Sequence, residues 1–180
     1  MIRSEQPSAE LVITAPQPFG SDVAYLFRCR TTLGVLTQLL AEARFEVVLA
    51  APFMQPGEGL SAGPLCDALI AALRRGVNVS IVSTSASLES IDHSRLSENA
   101  RGGIRFYQPE ANKRNERMLG SHAKFCIADH EKAYVGSANL TGPGLSEHLE
   151  MGVLLRGDIV GQIEEFWLYA LDAGFFLPVD

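Results

Sequence analysis

The chain has 180 residues, fifteen basic against twenty-one acidic, for a formal charge of −6, and 47% of them are hydrophobic. That length and composition suit a folded domain with its own core and exclude a disordered chain. The negative balance excludes indiscriminate coating of nucleic acid, and no run reaches the roughly 18 uninterrupted apolar residues of a membrane span.

Residues 1–20 are polar and carry three prolines around Leu11-Val12-Ile13. They are expected to form an N-terminal arm or edge strand ahead of a single domain over residues 21–180. The start, Met1-Ile2-Arg3-Ser4, lacks the apolar run of a signal peptide. Leu33, Leu36, Leu40 and Ala43 keep helical spacing, and Glu46–Ala51 then reads as a buried strand stopped by Pro52. Residues 54–63 form a Gly/Pro-rich loop. Pro64 opens a helix whose apolar stripe is Leu65, Ala68, Leu69, Ala72 and Leu73, with Gly76 as its stop. A strand over Val77–Val82 follows. Ser87 can cap a helix that runs to Gly102-Gly103, and Ile104–Tyr107 is the next strand. Further on, Met151–Leu155 reads as a strand. Asp158 can cap a last helix with Ile159, Val160, Ile163, Phe166, Trp167 and Ala170 on one face. This alternation predicts a mixed, largely parallel sheet covered by helices on both faces.

Chemistry-bearing residues concentrate between the last two of those strands. His122, Lys124, Asp129, Gly136, Ser137 and Asn139 stand in the spacing His-x-Lys-x4-Asp-x6-Gly-Ser-x-Asn. Lys124–Ile127 and Ala133–Val135 read as a hairpin with its turn at Asp129–Lys132. Residues two apart on a strand share a face. His122 and Lys124 therefore stand together, with Ala123, Phe125 and Ile127 turned to the core. Gly136 would let backbone approach a ligand closely, and Ser137 and Asn139 offer hydrogen bonds. An imidazole beside a fixed cation and such donors suits attack on phosphorus in a phosphodiester. Phe53 and Met54 end a strand where site-lining residues often lie, although rim or core packing serves equally.

Three cysteines, Cys29, Cys66 and Cys126, are isolated and read as reduced thiols of a cytoplasmic protein. Cys126 shares the face of Lys124, yet reads as a small apolar filler. His93 has no metal-ligand partner at a useful spacing, His130 reads as an exposed turn residue and Trp167 as packing. Ser137 is not in the Gly-x-Ser-x-Gly elbow of a serine hydrolase. From Arg95 to Lys124 seven basic residues meet three acidic ones. Positive charge thus gathers just ahead of the motif, and Lys113, Arg114 and Arg117 could take a polyanion; a solvated loop would look the same.

The motif resembles that of the phospholipase D superfamily, matched position for position. Glu150 sits where the family places an acidic residue that orients the catalytic imidazole; the Asn common two positions earlier is His148 here. The resemblance implies an α/β/α sandwich and a two-step reaction. His122 would attack phosphorus to give a phosphohistidine, while Lys124, Asn139 and Ser137 hold the phosphoryl oxygens. Asp129 would support the site and Glu150 would hold His122 in the right tautomer. No metal or other cofactor is implied. Because the chain carries one such motif, a homodimer with its active site on the two-fold axis is implied. Leu-Val-Ile-Thr-Ala-Pro at 11–16 and Val-Leu-Ala-Ala-Pro-Phe at 48–53 are also similar in order to the small phospholipase-D-like proteins of bacterial antiphage islands, including the DISARM type. The expected activity is that of a metal-independent phosphodiesterase, a nuclease acting on nucleic acid beside partner proteins of a defence system. The alternatives are a phospholipase D or phosphatidyl transferase, and a catalytically silent scaffold.

Overall fold

The computed structural model describes residues 7–110 and 121–179. In chain order the elements are β1 (Ser8–Thr14), α1 (Phe19–Phe27), α2 (Thr32–Glu42), β2 (Glu46–Ala50), α3 (Pro64–Arg75), β3 (Asn78–Val82), α4 (Ser85–Leu88) and α5 (His93–Asn99). Then come β4 (Ile104–Pro109), β5 (Phe125–Ala128), β6 (Lys132–Gly136), α6 (Gly142–Ser146), β7 (Glu150–Arg156), α7 (Asp158–Asp172) and β8 (Phe176–Val179). The strands form one eight-stranded sheet in the order β1-β7-β6-β5-β2-β3-β4-β8. It is the expected mixed sheet, but not a largely parallel one. Only β2·β3 and β3·β4 run parallel; the other five pairings are antiparallel. The short connection from β5 to β6 explains part of this, since strands joined by a few residues can only pair antiparallel.

Two apolar layers fix the sheet. On one face α2 and α3 bury Leu36, Leu40, Leu69 and Leu73 against Leu49, Ile81, Tyr134 and Leu154. On the other, α7 sets Trp167 against Tyr107, Phe125 and Phe176, so Trp167 packs as expected. The helix does not bury the whole predicted stripe. Val160, Trp167 and Ala170 are buried, while Ile159 and Phe166 remain 40% and 56% exposed. Asp158 lies in the first turn behind Gly157 at the N-cap. The helix expected from Ser87 to Gly102 is two short ones, the first following Thr84 without a side-chain cap and the second capped by the Asp92 carboxylate. Ser87 instead holds the loop after β2: its hydroxyl donates to the Pro52 carbonyl at 3.0 Å and accepts from Met54 N at 3.2 Å. β1 forms one edge of the sheet.

Gly136 and Gly152 face each other across β6 and β7. A Cβ on Gly136 would stand 2.1 Å from the Tyr134 hydroxyl, and one on Gly152 2.6 Å from its ring. The tyrosine therefore lies across both glycines, buried, with its hydroxyl 3.4 Å from that of Thr32. Gly136 thus makes room for a side chain of its own strand, where the sequence suggested room for a ligand. Burial pushes the Tyr134 phenol above its ordinary pKa, Thr32 opposes that shift and the nearby Glu150 charge adds to it. Gly152→Ala is expected to cost about 1–3 kcal/mol by overpacking. With Tyr134→Leu in the same chain the loss should fall short of the sum of the two single losses, as read by chemical denaturation.

Candidate active site

Hairpin β5–β6 positions the motif. The strand begins at Phe125, so His122 and Lys124 lie in the segment that leads into it. The ladder continues one step further, since Gly136 N donates to Lys124 O at 3.2 Å. Lys124 is therefore opposite Gly136, on the same side as Cys126 and Tyr134. Ala123 is exposed where the alternation suggested core, because the regular pleat starts only after it. Phe125 and Ile127 do enter the core. Cys126 is fully buried and its thiol is pushed up to about 12 by that burial, so it is a filler and not a site group.

Lys124 is 7% exposed, and among the described residues it is the only buried lysine or arginine. Its Nζ lies 3.0 Å from His122 Nδ1 and donates to the His122 carbonyl at 3.1 Å. Burial lowers its pKa from the ordinary lysine value, and the Glu150 carboxylate opposes that shift. The exposed imidazole of His122 stands edge-on to Phe53, ring centroids 6.1 Å apart. Phe53 is thus at the site, whereas Met54 is buried in the core. Across the hairpin, Ser137 Oγ donates to Glu150 Oε2 and accepts from Met151 N at 3.1 Å. The other Glu150 oxygen faces His148 Nδ1 at 4.0 Å. In this arrangement Glu150 holds Ser137 and only faces His148, and Lys124 is the group on His122. The Asn139 Oδ1 is buried without a hydrogen-bond partner among the described residues, an acceptor held beside the motif serine.

Asp129 is not brought to His122. It stands at the far end of β5, about 17 Å from Lys124 along a strand at roughly 3.3 Å per residue. Its carboxylate accepts from the backbone N–H groups of Arg44 and Phe45 at 2.8 Å and of Glu46 at 3.0 Å, tying the hairpin turn to the start of β2. Asp129 and His130 both have positive φ, 53° and 61°, in keeping with the primed turns that suit a twisted hairpin. His130 does more than project from this turn. Its ring nitrogens face the carboxylates of Glu46, at 3.4 Å, and of Glu164 on α7. His93 stacks on Phe106 with centroids 3.9 Å apart. Lys113, Arg114 and Arg117 lie outside the described residues.

Beside His122 and Lys124 opens a groove of about 480 Å³ that Val135, Ile159, Ile163 and Phe166 also line. It was not foreseen, although the excess of apolar residues on α7 over what one face can bury was visible in the sequence. Among the described residues no helix is long and apolar enough to cross a membrane.

Residues 36–167 match the family model described as cardiolipin synthase, PLD-like domain. The chain is similar to the DISARM protein DrmC of Bacillus paralicheniformis, 25% identical over 181 residues that cover 97% of this chain and 68% of that protein. Its fold is similar to that of a phospholipase D family member, Nuc from Salmonella typhimurium, with a TM-score of 0.65 at 18% identity over 97% of this chain and 99% of that one. NucT from Helicobacter pylori superposes with a TM-score of 0.67 at 16% identity, over 93% and 97% of the two chains.

The buried Lys124 charge has a measurable cost. Lys124→Met is expected to raise the melting temperature at pH 7 by about 2–4 °C, the shift that about 1 kcal/mol gives in a chain of this size. The folded-state pKa is lowered, so the penalty is full below it and is relieved as pH rises through it toward the unfolded lysine value. The gain over the parent protein should therefore shrink in alkaline buffer, as thermal melts at a series of pH values will show.

Proposed function

This chain belongs to the phospholipase-D-like domain family, and we propose that it is a phosphodiesterase, specifically a nuclease that uses His122 as a covalent nucleophile. The observation that carries the proposal is the pair formed by His122 with the buried Lys124 ammonium, 3.0 Å from Nδ1, at the open end of the hairpin. In the proposed reaction a bare imidazole nitrogen forms a bond to phosphorus and the bond to the leaving oxygen breaks, with a second imidazole supplying the proton. That second group then takes a proton from water, whose oxygen attacks phosphorus as the phosphorus–nitrogen bond breaks. With Lys124 as donor, Nδ1 accepts and the imidazole proton resides on Nε2. A phosphoryl oxygen that draws Lys124 away frees Nδ1 to carry the proton, which leaves Nε2 bare for attack. Lys124, the Asn139 amide N–H and, once its hydroxyl turns from Glu150, Ser137 would then hold phosphoryl oxygens in place of a metal ion. Glu150, already close to Lys124 and Ser137, would hold the imidazole proton. The part left to Asp129 is to fix the hairpin from its far end.

The second imidazole is proposed to be His122 of the partner subunit, in a two-fold homodimer. Exposed apolar surface around His122 supports this. Leu11, Val153 and Val135 are register neighbours across β1, β7 and β6 on the side α7 packs against, as are Ile13 and Met151. Leu11, Val135 and Met151 remain 40%, 37% and 55% exposed, and the groove beside His122 continues that surface through Ile159 and Phe166. A two-fold interface brings the same patch, and the same histidine, to itself. Lys113, Arg114 and Arg117 are proposed as phosphate contacts that select nucleic acid. The similarity to a DISARM protein supports a part in antiphage defence, on foreign DNA and beside partner proteins.

His122→Ala is expected to remove about four to six powers of ten of phosphodiesterase activity, the scale for a lost covalent nucleophile, with the folded circular dichroism spectrum retained. The parent protein should cleave DNA in excess EDTA. Assays on DNA, RNA, a small chromogenic phosphodiester and phospholipid vesicles check both points. Cleavage of phospholipid alone would replace the nuclease by the lipid reading, and inertness towards all four would favour the silent scaffold.

Refolding parent and His122→Ala chains together tests the shared site. At equal amounts only dimers of two parent chains would work, about one quarter of the total. The activity should fall as the square of the parent fraction. A linear fall would place the second imidazole in the same chain.

A further inference from the structure

His148 stands where the resembled family commonly has Asn, and nothing in the proposed reaction uses it. The structure places it at the rim of the same cluster. Its Nδ1 faces Glu150 Oε1 at 4.0 Å, and its side chain is 65% exposed against 12% for that of Glu150. The other Glu150 oxygen is taken by Ser137, and the Glu150 charge acts on Lys124. One carboxylate thus links His148 to the two groups proposed to hold the scissile phosphate. His148 N donates to the Pro143 carbonyl at 2.8 Å, which fixes the backbone of an otherwise largely exposed side chain. The charged groups about it are Glu150 on β7 and Glu147 beside it in sequence. Both are acidic, so an imidazolium here is attracted by its surroundings, and the cation that shares Glu150 with it is Lys124.

We infer that His148 is a substrate-binding residue, whose imidazolium donates through Nε2 to the phosphate next to the scissile one in a polynucleotide. Glu150 faces the ring on its Nδ1 side, 4.0 Å away, and the Nε2–H meets the neighbouring phosphoryl oxygen as a charge-assisted hydrogen bond. Imidazole changes charge between pH 5 and 8, so this contact strengthens polynucleotide binding in mild acid and fades in mild alkali. A neutral amide in the same place would give no such dependence. The inference rests on the proposed nuclease reading.

The test is binding, not turnover, in the His122→Ala background, with a fluorescent single-stranded oligonucleotide. Of the four histidines, His122 is then gone, His93 is stacked on Phe106 and His130 lies between Glu46 and Glu164. At pH 6, adding His148→Asn is expected to weaken binding roughly tenfold and to reduce the slope of log affinity against log salt by about 0.7, the value for one lost phosphate contact on a single strand. The two proteins should converge by pH 8.5. His148→Lys should restore tight binding at both pH values. Equal affinities and slopes at pH 6 would overturn the inference, as would a loss that is the same at pH 6 and 8.5 and is not restored by lysine. If the His122→Ala protein itself binds no oligonucleotide at either pH while the parent cleaves phospholipid, the nuclease reading has failed and this contact with it.

Discussion

A lysine held almost out of water beside an exposed histidine is the constraint around which the rest of the molecule is arranged. Burying an ammonium is costly unless its surroundings compensate. Lys124 has the His122 ring nitrogen, the His122 carbonyl and the field of Glu150. Those partners come from two separated stretches, residues 122–124 and β7, so the charge is tolerable only if β5, β6 and β7 keep their register. A one-residue slip would turn Lys124 toward Phe125's side of the sheet, into the layer around Trp167. The features that fix the register are therefore part of the site, even where they lie far from it.

Asp129 and Tyr134 are two such features. Asp129 closes the hairpin and ties it to the chain entering β2 through three backbone N–H groups. That pins β5 against β2 at the end away from His122. Tyr134 lies over Gly136 and Gly152, so a side chain larger than hydrogen at either position meets the ring. The same ring fills the space beneath the strand ends that carry Ser137 and Glu150. Two motif positions, Asp129 and Gly136, thus serve the frame of the hairpin, as a rigid support does for the groups it carries.

This distinction marks where the sequence was legible and where it was not. Period-two alternation placed Lys124 and Cys126 on one side and Phe125 and Ile127 in the core, because those relations are local to one strand. The spacing of the motif was legible because the family resemblance is a pattern in sequence. What Gly136 makes room for, and what Asp129 holds, depends on residues 134, 152 and 44–46, which only the folded register brings near. The sense of the strand pairings was misread for a related reason: alternating strands and helices suggest crossovers, and nothing local to β7 or β8 says that each returns antiparallel. Ser87 has the chemistry of a helix cap, but a buried serine next to two free backbone groups of the loop after β2 finds better partners there.

The apolar surface beside His122 connects the fold to the missing half of the chemistry. α7 carries more apolar residues than the sheet in one subunit can cover, and β1 and β7 extend that face to the edge. Left in water, Met151, Val135, Ile159 and Phe166 would form the kind of contiguous patch that monomers seldom keep. Among the described residues no acidic residue lines the groove. Bringing two such sites together also brings two buried cations near each other. That repulsion is lowest with a phosphate dianion or diester between them, so substrate and dimer should stabilise one another. In the proposed dimer both lysines would be committed to the scissile phosphate, so a contact beyond it would come from the periphery, where the His148 side chain is 65% exposed.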